Sequence, residues 1–199
     1  MYSDDKLTVG SLTVRLEQDT DAESPRDWDN LGTMVCWHRN YRLGDEHSYG
    51  DPQEFIESDE YRNAAIVLPL GLYDHSGITM YIGSEPSPFD PGGWDSGQVG
   101  FIYISREKIR SEYSVKRISK QLLARVEGYL RNEVKTYDDY LIGNVWGFMV
   151  EDEEGNHVDS CWGFIGDVDH VFAEGKASAE GYIANEVKQE QLVHNTFAL

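Results

Sequence analysis

The sequence predicts an α+β fold in which a mixed or mainly antiparallel sheet packs against one long amphipathic helix, with short flanking helices. Several segments alternate apolar and polar residues, which is typical of strands. Apolar residues at three- and four-residue spacing predict the long helix over about residues 115–140. No βαβ alternation with nucleotide-binding glycines is present, so a doubly wound parallel sheet is not expected.

The first half of the chain predicts mainly strands. Alternation predicts a strand over residues 7–16, with Leu12, Val14 and Leu16 on one face. Asp51 followed by Pro52 predicts the start of a short helix, because aspartate caps helices and proline suits their first position. Turn-forming residues at 73–77 predict a hairpin. The further predicted strands are residues 33–38, 64–70, 78–82 and 98–104.

The second half begins with the long helix and continues with a hairpin. The stripe of the helix includes Leu122, Val126, Tyr129, Leu130 and Val134. Alternating apolar residues on both sides of an acidic turn at 152–156 then predict strands over residues 145–151 and 157–165. One or two helices are expected between residues 168 and 190.

Composition indicates a single acidic domain over residues 1–199, with termini that we expect to be flexible. The chain has 199 residues, 40% of them hydrophobic, which is enough for a sizeable core. Two cysteines, far fewer than a secreted disulfide scaffold has, indicate reduced thiols. Neither a signal peptide nor an apolar run of about 20 residues is visible. We therefore expect a cytoplasmic protein without membrane contact.

The formal net charge is −19, and it is unevenly distributed. Residues 1–60 carry 15 acids and 5 bases, and residues 136–199 carry 13 acids and 2 bases. Residues 105–135 carry 9 bases and 4 acids. Such an acidic excess repels nucleic acid, and the cations of the helix alternate with Glu127 and Glu133, so direct nucleic-acid binding is not expected.

Two Trp-Asp pairs, Trp28-Asp29 and Trp94-Asp95, each precede a predicted strand. In the structural interpretation, each aspartate accepts a backbone N–H two residues ahead, and each tryptophan packs over the start of the strand. In the functional interpretation, the two carboxylates face one cleft, where they hold a metal ion or act as acid and base.

The two cysteines form a second candidate site. Cys36 and His38, together with His157, Asp159 and Cys161, have the side chains for a zinc site of two cysteines and two histidines, or for a cysteine nucleophile with a histidine base. The spacing differs from that of structural zinc motifs, and buried cysteine also serves as a small hydrophobe. No cofactor is predicted. The consecutive residues at 74–76 (Asp-His-Ser) are not expected to form a triad, because adjacent side chains point apart.

Four segments resemble a family of uncharacterised proteins encoded by phages, plasmids and environmental viral genomes. They are residues 28–38 (WDNLGTMVCWH, followed by Tyr41 and Leu43-Gly44-Asp45), 92–100 (GGWDSGQVG), 133–141 (Glu133-Val134, Tyr137 and Tyr140-Leu141) and 159–164 (DSCWGF). The resemblance covers about residues 28–165. It implies a mobile-element origin and expression inside a microbial host, and it implies no activity or catalytic residue.

We therefore expect a phage or mobile-element accessory protein that binds a host protein in the host cytoplasm. An acidic inhibitor of DNA-mimic type, directed at a host defence or DNA-binding protein, fits the charge. The acidity is equally typical of a saline host. The alternatives are a small metal-dependent enzyme or metal-binding protein with an Asp/His/Cys cluster, and an accessory protein acting through its basic helix. The candidate binding residues are Trp28, Asp29, His38, Trp94, Asp95, Asp159 and Cys161.

Overall fold

Two compact units make up the chain. A computed structural model describes residues 6–197, with the backbone alone at positions 190 and 193–197. We call residues 6–23 and 143–197 the terminal unit, and residues 24–142 the central unit. Each unit contains an antiparallel sheet and at least one helix, so the predicted α+β class is confirmed. The single-domain organisation stays a prediction.

Within residues 6–197 the chain forms eight strands and five helices. The strands are β1 (Lys6–Val9), β2 (Leu12–Gln18), β3 (Thr33–Cys36), β4 (Ala64–Asp74), β5 (Ile78–Ile82), β6 (Ser96–Ser105), β7 (Val145–Glu151) and β8 (His157–Ile165). The helices are α1 (Pro52–Glu57), α2 (Asp59–Asn63), α3 (Arg106–Glu112), α4 (Lys120–Leu141) and α5 (Val168–Phe197).

The terminal unit is a four-stranded sheet in the order β1-β2-β7-β8, with α5 packed on β2 and β7. Gly175 lies where α5 comes closest to the sheet, since a Cβ at this position would be 2.6 Å from Val14 Cγ1. Glycine weakens a helix interior, but here it permits close packing. The buried core consists of Leu12, Val14, Leu16, Phe148, Val150, Val171, Phe172 and Ala179.

The predicted strand over residues 7–16 is wrong, because this segment is a hairpin. β1 and β2 pair antiparallel, with Val9 opposite Leu12. Gly10 lies between them with a φ of 60°, a left-handed conformation that glycine adopts without strain. The chain therefore reverses at Gly10, and across the turn the apolar residues move from odd positions (Leu7, Val9) to even positions (Leu12, Val14, Leu16). The predicted hairpin of β7 and β8 is confirmed with its predicted bounds.

The central unit has three layers. The middle layer is a sheet with the strand order β3-β6-β4-β5. Helix α4 buries Val126, Leu130, Val134 and Tyr137 against one face. It begins at Lys120 rather than at 115, because Ser119 is its N-cap and accepts the backbone N–H of Leu122. The apolar stripe predicted for this helix is buried at Val126, Leu130 and Val134, as expected. Tyr129 was also predicted in the stripe, but it is 45% exposed.

An aromatic cluster covers the opposite face of this sheet. Asp51 caps α1 and Pro52 opens it, as predicted, and α1 carries Phe55. Phe55 is fully buried, and strand alternation places its sheet partners on the face opposite Ile102 and Ile104. Ring centroids within 5.0–6.2 Å of Phe55 belong to Trp37, Tyr49, Tyr61, Phe101 and Tyr103.

A buried arginine joins two loops of the central unit to α4. The side chain of Arg26 is 3% exposed and donates two hydrogen bonds of 2.7 Å to the carboxylate of Asp45. It also donates to Glu133 Oε2 at 3.2 Å and to the carbonyl of Gly32 at 2.9 Å. Asp45 accepts the backbone N–H of Met34, and Glu133 accepts those of Leu31 and Gly32. Every charge in this network is therefore paired and hydrogen-bonded.

Replacing Arg26 tests this network. We expect Arg26→Ala to lower the free energy of unfolding by about 3–5 kcal/mol, because two part-buried carboxylates lose their cation. Arg26→Lys keeps the charge but not the planar guanidinium, so it should lower the free energy of unfolding by a smaller amount. Urea unfolding followed by tryptophan fluorescence measures both values. Equal stability of Arg26→Ala and the wild type would contradict the assigned role.

Asp138 provides a second test, because its carboxylate joins α4 to β5. It accepts the backbone N–H of Met80 at 2.7 Å. Burial raises the pKa of Asp138, and the neighbouring Asp139 carboxylate adds to the rise, while the Met80 hydrogen bond and Lys135 oppose it. The folded protein therefore binds this proton more tightly than the unfolded chain does.

We accordingly expect the wild type to lose stability relative to Asp138→Asn as the pH rises through the raised pKa of Asp138 towards neutrality. The asparagine Oδ1 still accepts the Met80 N–H, and no buried charge forms. Unfolding free energies of both proteins between pH 4 and pH 7 give the difference directly. A difference that stays constant with pH, or that changes in the opposite direction, would contradict this prediction.

Candidate functional site

The seven predicted site residues lie at three places. Trp28 and Asp29 line one cavity of the central unit, whereas His38, Trp94 and Asp95 line another. Asp159 and Cys161 lie on β8 of the terminal unit. The structure therefore brings His38, Trp94 and Asp95 together. The functional interpretation of the Trp-Asp pairs required Asp29 and Asp95 to face one cleft. The structure places them at different cavities.

The first of these, which we call the Trp28 cavity, has a volume of about 510 Å³. The rings of Trp28, Tyr113 and Tyr129 form part of its wall. Arg125 stacks on both tyrosines, with its Cζ 5.0 Å from the Tyr113 ring centroid and 5.9 Å from that of Tyr129. These aromatic faces therefore already accept a guanidinium from the chain itself.

Two carboxylates of the Trp28 cavity have no partner. Neither Asp29 nor Glu112 makes a hydrogen bond or an ion pair with any residue that the structure describes, and both are exposed. The third carboxylate, that of Glu133, is held by Arg26 and by backbone N–H groups. Aromatic faces beside unpaired carboxylates suit a cationic group.

The two Trp-Asp turns are held by other residues than expected. Asn30 Nδ2, and not Asp29, holds the first turn by donating to the carbonyls of Pro25 and Trp28. In the second turn, Asp90 accepts the backbone N–H of Asp95 at 2.8 Å and the Ser96 hydroxyl at 2.8 Å. The structural interpretation of Asp29 and Asp95 is therefore wrong.

Trp94 projects from the loop that Asp90 organises. It is 90% exposed, so it does not pack over the start of β6 as we expected. Phe89, on the same loop, is 85% exposed. Partial desolvation would raise the pKa of Asp90, but the hydrogen bonds from Asp95 N–H and the Ser96 hydroxyl outweigh it and lower the pKa below its usual range. Asp90 therefore stays ionised and holds the loop.

The second cavity, which we call the His38 cavity, measures about 460 Å³. His38 Nε2 lies 4.0 Å from Asp74 Oδ2, and the neighbouring His75 Nδ1 lies 2.9 Å from Asp95 Oδ2. Asp74 and His75 thus pair with other residues and not within a triad. The Ser96 hydroxyl at this cavity donates a hydrogen bond to Asp90. The Ser96 hydroxyl is therefore not hydrogen-bonded to either imidazole, as a hydroxyl nucleophile with a histidine base would be.

Cys36 has the environment of a buried hydrophobe. Burial raises the pKa of Cys36 to about 12, and the Asp45 carboxylate adds to the rise. The thiol therefore stays protonated and is unsuited to act as a nucleophile. Among the residues that the structure describes, no three His, Cys, Asp or Glu side chains are grouped so that they could hold a metal ion. Cys36 and His38 in the central unit therefore belong to no metal-holding group, and neither do His157 and Cys161 in the terminal unit.

Asp159 and Cys161 lie on an exposed strand. Asp159 Oδ2 accepts a hydrogen bond from the hydroxyl of Ser178 on α5, which joins the helix to β8. Cys161 is a free and exposed thiol.

No helix in the described part of the chain combines the length and the apolarity that a membrane span needs.

Sequence reasoning missed Tyr113 and Arg125, and it assigned Tyr129 and Glu133 to other environments. A signal was present, because Arg125, Tyr129 and Glu133 follow one another at four-residue spacing and so share one face of α4. Their charges and aromatic ring were instead divided between a solvated face and the apolar stripe.

Comparison with known proteins finds no matching family model, no similar curated protein and no similar solved structure.

The two thiols provide a test of this description. In the folded protein at pH 7, we expect a maleimide to label Cys161 and to leave Cys36 unlabelled, because the Cys36 thiol is buried and protonated. Mass spectrometry should find one label per wild-type chain, one in Cys36→Ser and none in Cys161→Ser. Both cysteines should be labelled in urea. Rapid labelling of folded Cys161→Ser would contradict the environment assigned to Cys36.

Proposed function

We propose that the chain is a phage or mobile-element accessory protein that acts by binding, as an acidic inhibitor of a DNA-binding or defence protein of its host. In this proposal, exposed carboxylates occupy the sites at which the partner binds DNA phosphates. The partner surface is therefore rich in lysine and arginine. The resemblance of the Trp28–His38 segment to proteins of phages and plasmids supports the origin.

The observation that carries the proposal is the surplus of carboxylates in the terminal unit. Residues 6–23 and 143–197 carry 15 acidic and 4 basic residues, whereas residues 24–142 carry 19 and 13. Two of the four bases are already paired with carboxylates of this unit: Arg15 with Glu17 and Glu151, and Lys176 with Glu180. Most of the negative charge is therefore available to a partner.

The tip of the β7–β8 hairpin concentrates this charge. Asp152 accepts hydrogen bonds from the side chain and the backbone N–H of Asn156, and these lower the pKa of Asp152. It therefore shapes the turn as an ionised group. Glu153 and Glu154 follow it and are exposed. A rigid turn that carries adjacent carboxylates resembles a short stretch of backbone phosphates in charge.

The Trp28 cavity supports the same partner chemistry. Its unpaired Asp29 and Glu112 carboxylates and the half-exposed ring of Trp28 suit an arginine or lysine side chain. The stacking of Arg125 on Tyr113 and Tyr129 is the internal precedent for such a contact. Surfaces that bind DNA are rich in these cations.

Competition with DNA tests the proposal. A non-specific DNA-binding enzyme is bound to a fluorescent DNA duplex, and anisotropy reports the release of the duplex as the protein is added. We expect release at 50 mM salt and a steep loss of competition by 200 mM salt, because the contact is between charges. Glu153→Lys/Glu154→Lys should compete about tenfold more weakly.

The control is Glu57→Lys/Glu85→Lys, which changes the net charge equally at two exposed positions of the central unit. We expect this variant to compete nearly as well as the wild type. Failure of the wild type to release DNA at 50 mM salt would overturn the proposal. An equal loss in the two variants would show that net charge alone, and not the hairpin tip, governs the competition.

A further inference from the structure

One groove of the central unit has the opposite charge to most of the chain. It lies between α3 and the start of α4, has a volume of about 300 Å³, and is lined by Arg106, Arg110, Lys116 and Arg117. Ala65, Ile118 and Leu123 form its apolar part. Four cations at one small groove are notable in a chain whose net charge is −19.

None of the four cations of this groove has an acidic partner in the described part of the chain. Elsewhere in residues 105–135, Arg131 pairs with Glu127, Lys135 pairs with Asp139, and Arg125 stacks on tyrosines. By contrast, Arg110, Lys116 and Arg117 make no side-chain hydrogen bond or ion pair with any residue in the described part of the chain. Three like charges thus share a groove without a neutralising carboxylate, and a bound anion would relieve their mutual repulsion, which solvent only screens.

Backbone geometry defines the turn between α3 and α4, on either side of which these cations lie. Ser114 lies between the two helices with a φ of 49°, a conformation that non-glycine residues rarely adopt. The backbone N–H of Val115 then donates to the carbonyl of Arg110 at 3.0 Å, which closes the turn that ends α3. Arg106 donates to the carbonyls of Asn63 and Ala64, so the position of its guanidinium is also defined.

We propose that this groove binds a small phosphate ester. A phosphate dianion has three acceptor oxygens and about two charges, so it matches several cations, whereas one carboxylate would leave most of the positive charge unneutralised. Arginine forks bind phosphate oxygens in pairs. The organic part of the ester lies on Ile118 and Leu123. The volume is at the lower end of the range for ligand pockets, which favours a small ligand. The acidic remainder of the chain disfavours a long polyanion.

The probe is monobutyl phosphate, titrated into the full-length protein at 50 mM salt and followed by backbone amide chemical shifts in NMR spectra. We expect saturable shifts at residues 105–123, with a Kd of about 1 mM. Arg110→Gln/Arg117→Gln should weaken binding at least about tenfold. The matched control, Arg131→Gln/Lys135→Gln, removes two cations elsewhere on α4 and should leave the Kd unchanged.

Three results would overturn the assignment: no saturable shift at up to 20 mM butyl phosphate, equal binding of pentanoate, whose chain is similar but ends in a carboxylate, or tighter binding of a short DNA duplex at the same residues. The substituted arginines are exposed, and unchanged melting temperatures of both variants would show that binding and not folding was altered. The test uses no partner protein, so its outcome is independent of the DNA-competition experiment.

Discussion

The buried guanidinium of Arg26 is the interaction on which the central unit depends. It binds Asp45, Glu133 and the carbonyl of Gly32, and these groups come from two loops and a helix. The carboxylates that Arg26 neutralises also accept the backbone N–H groups of Leu31, Gly32 and Met34. The beginning of β3 and the loop before it are therefore positioned by charge pairing as well as by apolar packing. The Trp28 cavity exists because this loop is held against α4.

The distribution of charge is the second constraint. Carboxylates predominate over the whole chain, yet the cations of residues 105–135 serve three different purposes. Some neutralise neighbouring carboxylates on α4, and Arg125 stacks on aromatic rings. The cations of the α3–α4 groove have no acidic partner. The central unit therefore has one cavity suited to a cation and one groove suited to an anion, and the segment from α3 to α4 contributes to both.

The two proposals separate because they rest on different groups. Inhibition of a DNA-binding protein depends on the exposed carboxylates of the terminal unit, supported by the Trp28 cavity. Phosphate binding depends on cations that these carboxylates do not neutralise. A partner rich in arginine and lysine would be repelled by the groove and attracted by the carboxylates. The groove is therefore best understood as a site for a separate, small ligand.

The sequence by itself determined the features that arise between near neighbours. The β7–β8 hairpin follows from two alternating segments around a turn, the start of α1 from Asp51 and Pro52, and the buried stripe of α4 from four-residue spacing. The concentration of charge at the two ends is likewise a property of the sequence. The hairpin at Gly10 was not predicted, because both of its strands alternate and only the shift of the apolar residues from odd to even positions marks the turn.

Only the tertiary structure decided which distant groups meet. Arg26 and Glu133 are 107 positions apart, and Glu133 was expected on a solvated face until its neighbours in space were known. The tryptophans of the two Trp-Asp pairs were expected to pack, yet Trp94 is exposed on a loop whose shape depends on hydrogen bonds to Asp90. The partner of a charged or aromatic side chain depends on how loops and helices pack, and no local pattern carries that information.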